Sequence, residues 1–138
     1  MLAYPKEKDK RQHRRLPALS LTADIKIKKG LFTSWYSTTA LDFNIYGVAL
    51  IVPNEPVLGT KTLLKLSLAM DMTEVKVNQI EAKVVNKVMV DSKKGEWRAG
   101  YIFSNQSKHS QETKKQLNRI NEYLERNNQL KDKLKDEK

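Results

Sequence analysis

Leu19-Ser20-Leu21-Thr22-Ala23-Asp24-Ile25-Lys26-Ile27-Lys28 alternates apolar and polar residues without a break. Period two puts Leu19, Leu21, Ala23, Ile25 and Ile27 on one face and the polar residues on the other, the pattern of a half-buried strand. Lys29-Gly30 punctuates it. Residues 32–41, heavy in Thr and carrying Trp35 and Tyr36, predict a second strand. The short β-branched run Val48-Ala49-Leu50-Ile51-Val52 predicts a buried third, stopped at Pro53-Asn54-Glu55-Pro56 where proline cannot continue a ladder. Gly59-Thr60 opens a strand at residues 63–70, and a long β-branched stretch, residues 74–90, is expected to break near Asn78 or Asn86. Ser92-Lys93-Lys94-Gly95 reads as a hairpin turn into Trp97-Arg98-Ala99-Gly100-Tyr101-Ile102-Phe103.

About six strands in so short a span, evenly punctuated and with no helical interruption, predict a mainly β fold: a six-stranded antiparallel β-barrel, whose closure removes exposed edges. Residues 112–138 contain neither Gly nor Pro and predict a C-terminal α-helix. Leu117, Ile120 and Leu124, with Tyr123 beside them, form a narrow apolar stripe that Asn127 and Lys131 interrupt. The first half of the helix is therefore expected to pack on the barrel and the rest to project beyond it. The resulting organisation is a flexible basic arm at 1–17, a barrel at 18–104, and a helix and tail at 105–138.

With 138 residues the chain suits one domain, and its charge is unevenly spread. Residues 1–30 hold nine Lys/Arg against three Asp/Glu, residues 31–107 eight against seven, and residues 108–138 nine against six. The net +10 is thus concentrated at the start of the chain, where an anionic partner would be drawn first. The absence of cysteine excludes disulfides and thiolate metal sites. No apolar leader and no apolar run of about 18 residues is present, so the expected location is the cytoplasm.

Two short segments carry the chemistry. Arg11-Gln12-His13-Arg14-Arg15 supplies guanidiniums that can fork onto phosphates or the O6/N7 edge of guanine. Pro17 disfavours helix just before it, so the arm should be extended or turned, and a solvated basic tail is the simpler alternative. Asp42-Phe43-Asn44-Ile45-Tyr46-Gly47 is the second segment. Strand alternation would point Asp42 and Asn44 outward as hydrogen-bonding groups with Phe43 in the core, and Gly47 would permit a sharp turn or close approach to a ligand. An Asx-type turn between two strands explains the same residues without a site.

These residues, Arg11-x-x-x-Arg15 followed by Ala40-Leu41-Asp42-Phe43-Asn44-Ile45-Tyr46-Gly47-Val48-Ala49-Leu50, resemble the PilZ domain family, whose pattern is RxxxR and then [D/N]xSxxG. Trp97 to Phe103 is similar to that family's last barrel strand. The resemblance spans about residues 11–125, and Asn44 stands where the family usually has serine. It implies a bacterial receptor for the second messenger cyclic di-GMP, with Arg11, Arg14, Arg15, Asp42, Asn44 and Gly47 as ligand-binding residues. It also implies a downstream protein of motility, pilus or exopolysaccharide machinery, and no cofactor beyond the ligand. The alternative is a PilZ-like interaction module that does not bind the nucleotide.

Catalysis is not expected, since no GxSxG, HExxH or Cys/His cluster exists and two isolated histidines make a poor metal site. Leu58-Gly59-Thr60-Lys61-Thr62 lacks the first glycine of a phosphate loop and leads into a strand, so it reads as a turn. Trp35, Trp97, Tyr101 and Phe103 could stack bases, but core packing is the stronger reading. A nearly neutral barrel also lacks the positive wall that a strand of nucleic acid needs, so nucleic acid is not an expected partner.

Overall fold

The computed structural model describes residues 16–17, 20–29, 31–70, 72–104 and 111–136. Their elements are β1 (Leu16–Pro17), β2 (Leu21–Lys29), β3 (Phe32–Asn44), β4 (Gly47–Val52), β5 (Lys61–Ala69), β6 (Glu74–Asp91), β7 (Glu96–Phe103) and α1 (Gln111–Asp136). The sheet order is β1-β3-β2-β5-β6-β7-β4, and β4 pairs back onto β3. Six antiparallel strands, β2 to β7, thereby close into a barrel, and two-residue β1 adds to β3 beyond the end of its ladder with β2.

Period-two alternation decides what fills the barrel. Leu21, Ala23 and Ile25 from β2, Leu64, Leu66 and Leu68 from β5, and Val75, Val77, Ile80, Ala82 and Val84 from β6 are all buried in one core. Each of these strands turns its polar residues outward, as at Thr22, Lys76 and Lys83. The apolar stripe of α1 joins the same core through Leu117, Ile120 and Leu124, with Tyr123 partly buried beside them. Helix α1 touches β1 and β6, and past the stripe its Leu130 is exposed, in keeping with a helix that packs through its first half.

The expected break near Asn78 or Asn86 is corrected: β6 runs unbroken for 18 residues. The β-unfavourable residues are accommodated by bulges instead. One extra residue enters between the pairs Leu64↔Ile80 and Leu66↔Val77, and another between Val84↔Tyr101 and Asn86↔Gly100. Bulges bend and twist a strand without ending it, which is how one long strand can serve two sides of a small barrel.

The aromatic residues divide between inside and outside. Phe43 and Phe103 meet inside the barrel at 6.3 Å between ring centroids, Tyr101 is 2% exposed, and Trp97 packs on the core edge. Trp35 instead lies on the outer wall, with Lys65 Nζ 4.2 Å from its ring centroid and Lys26 at 5.9 Å. Trp35, Trp97, Tyr101 and Phe103 do not form one exposed stacking surface.

Burial pushes the Tyr101 phenol up to about 12 from its ordinary value near 10. The folded state therefore binds this proton more tightly than the unfolded chain. Its contribution is intact below pH 10 and is lost as pH rises through about 12, an effect of roughly 3 kcal/mol. Urea unfolding measured from pH 9 to 12 is expected to show a fall in stability that Tyr101→Phe makes shallower; identical slopes in the two chains would contradict this assignment.

Candidate functional site

The hairpin between β3 and β4 begins the outer-wall site. Its two loop residues, Ile45 and Tyr46, join Asn44 to Gly47. Two-residue hairpins usually rely on positive φ, yet neither loop residue has it. The turn is held by a side chain: Asn44 Oδ1 accepts the N–H of Tyr46 at 2.7 Å and of Gly47 at 2.9 Å. Asn44 is 7% exposed, so this oxygen serves a buried turn.

Just before that turn, β3 carries a bulge. The register passes from Ala40↔Leu50 to Asp42↔Ala49, which makes Leu41 an extra residue. Ala40 and Phe43, three apart, consequently both reach the core, and Asp42 lies on the wall between them. Across the sheet the registers align Asp42, Ala49, Gly100 and Asn86 in one row, with Asn44, Gly47, Ile102 and Lys83 in the next.

The middle of the first row is made of the two smallest residue types. Ala49 is 1% exposed but lies outside the core cluster that contains its neighbours Val48 and Leu50, so it is covered on the outer face. Arg98 of β7 reaches across β4 to Asp42 of β3, with Nη2 2.7 Å from Oδ2. Asp42 keeps 16% of its side chain exposed and Arg98 keeps 46%. An ion pair this open to water contributes on the order of 0–1 kcal/mol, so a ligand can exchange one partner at little cost.

β1 brings the N-terminal chain to this face. Leu16 pairs with Phe43 and Pro17 with Asp42, so the chain enters the barrel beside the carboxylate and the Asn44 turn. Arg11, Arg14 and Arg15 lie outside the described residues, as does nearly all of the arm at 1–17. Arg15 is covalently next to Leu16, and Arg11 is five residues from it, a reach of roughly 17 Å for an extended chain.

Comparison with known proteins comes from structure alone: no protein-family model and no curated protein matches the sequence. The PilZ domain of YcgR from Escherichia coli, solved with c-di-GMP, superposes with a TM-score of 0.62 at 19% identity, covering 91% of this chain and 98% of that one. PlzA from Borreliella burgdorferi, in complex with c-di-GMP, gives 0.55 at 16% identity and covers 94% of this chain. This chain spans 57% of PlzA.

The chain has the fold of PilZ domains. Within this PilZ-like barrel, Asp42, Asn44 and Gly47 gather at one place on the outer wall beside β1, but their roles differ. Asp42 presents a carboxylate on the wall, whereas the oxygen of Asn44 faces the turn amides. Gly47 has ordinary φ; its need for glycine comes from packing, because a Cβ there would run into the carbonyl oxygen of Tyr101 in β7. At Gly100 a Cβ would meet the side chain of Asn86 instead, which can shift, so the demand for glycine is weaker there.

The motif reading did not single out Arg98, Ala49 or Asn86. A signal for Arg98 was present: with Ala99, Tyr101 and Phe103 inward, alternation in the last strand turns Arg98, Gly100 and Ile102 outward. Its pairing with Asp42, 56 residues earlier, is tertiary information. No group of three potential metal-ligating residues occurs among the described residues, and no helix among them is long and apolar enough to cross a membrane.

Gly47→Ala is expected to lower stability by about 1–3 kcal/mol, through backbone displacement at the β4–β7 ladder. Thermal or urea denaturation checks this. An unchanged midpoint would show that the close approach to Tyr101 is not what requires glycine.

Proposed function

We propose that this PilZ-like domain is a cyclic di-GMP receptor in a bacterial cytoplasm, with the ligand held between the arginine arm and the outer wall at Asp42. The observation that carries this reading is the pairing of Pro17 with Asp42, which ties the chain directly after Arg11, Arg14 and Arg15 to the one acidic side chain in that row of the wall. Its support from outside the chain is that the YcgR domain and PlzA, two of its structural neighbours, were solved with c-di-GMP.

The chemistry is complementary. A cyclic dinucleotide presents two phosphates, which guanidiniums bind by forked charge-assisted hydrogen bonds, and guanine N–H groups, which a carboxylate accepts. Ala49 and Gly100 are small but both are buried, with the Asn86 side chain lying against Gly100, so a planar base reaches this row by displacing that cover. Arg98 holds Asp42 in a pair whose guanidinium is half exposed, and on ligand binding that guanidinium becomes a further donor or a stacking surface. No bond is made or broken; the output is a rearranged arm and wall read by a downstream protein.

The second reading, a PilZ-like interaction module that does not take the nucleotide, has its own observation. Asn44 replaces the family's usual serine, and its Oδ1 is engaged by two backbone amides.

Calorimetric titration with cyclic di-GMP, with GTP as control, separates the two. Saturable binding of the cyclic dinucleotide alone is expected, and Arg11→Ala, Arg15→Ala and Asp42→Ala should each weaken it roughly ten- to hundredfold, the loss of one charge-assisted contact. A flat titration of a folded wild-type chain supports the interaction module, and wild-type affinity in all three variants overturns the site.

A further inference from the structure

A concavity lies away from the Asp42 wall, at the barrel mouth where β4 leaves for the segment leading to β5. It has a volume of about 500 Å³ and is bordered by Ile25, Ile27, Val52, Val57 and Val84. That size falls among small-molecule sites, which span about 300–1,000 Å³. The segment over it is fixed: Gly59 N–H bonds the carbonyl of Val84 at 2.9 Å, Val84 N–H bonds that of Thr60 at 3.1 Å, and Gly59 has φ +86°. Val57 is 68% exposed on the rim, an apolar side chain left to solvent beside an apolar hollow.

Tyr101 also borders this hollow. β7 turns its side chain inward between Val48 and Val84. The residue is 2% exposed, yet its hydroxyl donates to no group among the described residues. Buried tyrosine hydroxyls ordinarily have a partner, because desolvating the group without one costs more than the same ring without the oxygen. Burial alone, with no hydrogen bond, sets the raised proton affinity of this phenol. A phenylalanine would fill the core equally well, so the oxygen calls for a use.

We infer that the barrel mouth is a binding site for a small neutral molecule with an apolar body and a carbonyl acceptor, such as a ketone, ester or lactone, whose oxygen takes the Tyr101 O–H while its body lies among Ile25, Ile27, Val52 and Val84. A carboxylate fits less well, since a single phenol donor does not replace its hydration. Lys26 and Lys61 stand at the outer border, too exposed to neutralise a charge held beside Tyr101. The inference does not rest on cyclic dinucleotide binding, which concerns the other face of the barrel wall.

Acetophenone and ethylbenzene, which share a shape but differ in the carbonyl, test it by methyl-detected NMR titration of the full chain. Both are expected to shift the methyls of Ile25, Ile27, Val52 and Val84. The ratio of acetophenone to ethylbenzene affinity should fall roughly two- to tenfold in Tyr101→Phe, the worth of one neutral hydrogen bond. In the wild-type chain the ring Cζ resonance of Tyr101 should move with acetophenone and stay with ethylbenzene, which requires no variant to fold. An unchanged ratio, an unmoved Cζ, or shifts that miss the mouth methyls would each overturn the proposal.

Discussion

Closure of the barrel rests on the ladder between β3 and β4, and that ladder rests on the turn at Asn44. Without positive φ at Ile45 or Tyr46, the backbone does not favour a two-residue reversal, and the Asn44 oxygen stabilises it by accepting two amide N–H groups. Gly47 then lets β4 lie close against Tyr101 of β7, and Phe103 N–H bonds the carbonyl of Tyr46 at 2.8 Å. These contacts join three strands at one corner. The same corner sets Asp42 on the outer wall and receives β1, so the geometry of the candidate site is a by-product of how the barrel closes.

The identity of residue 44 therefore bears on fold and ligand together. An asparagine oxygen engaged by the turn is less available to a nucleotide than an outward hydroxyl would be, which under the proposed receptor function moves the recognition burden to Asp42, Arg98 and the arginine arm. Arg98 is well placed for this, since its pair with Asp42 is partly solvated and crosses above Ala49. A ligand need not break a buried ion pair to enter; it exchanges partners on a wet surface.

Much of the barrel was legible because alternation is a local signal. Leu21, Ala23 and Ile25 announce their own strand, and the helix stripe of Leu117, Ile120 and Leu124 announces its buried face. The order of the strands and the bulges at Leu41, near Asn78 and at Val85 were less legible, because a bulge depends on the length of the partner strand as well as on its own residues. Asp42 was readable as an outward acceptor from its place beside Phe43. The Asn44 oxygen and the Gly47 contact point inward to the fold, and only the paired strands reveal that. Arg98 and Tyr101 owe their interest to neighbours distant in sequence, an ion pair in one case and a missing hydrogen-bond partner in the other.

The proposed receptor function places cyclic di-GMP on the wall between Asp42 and Asn86, beside the chain that enters through β1. Backbone amide NMR during titration with cyclic di-GMP tests it most directly. The account predicts saturable shifts at Leu16, Asp42, Ala49, Arg98 and Gly100, with the opposite wall around Lys65 and Lys76 unmoved. Shifts centred on that opposite wall, or saturable binding that leaves Asp42 and Gly100 untouched, would contradict it.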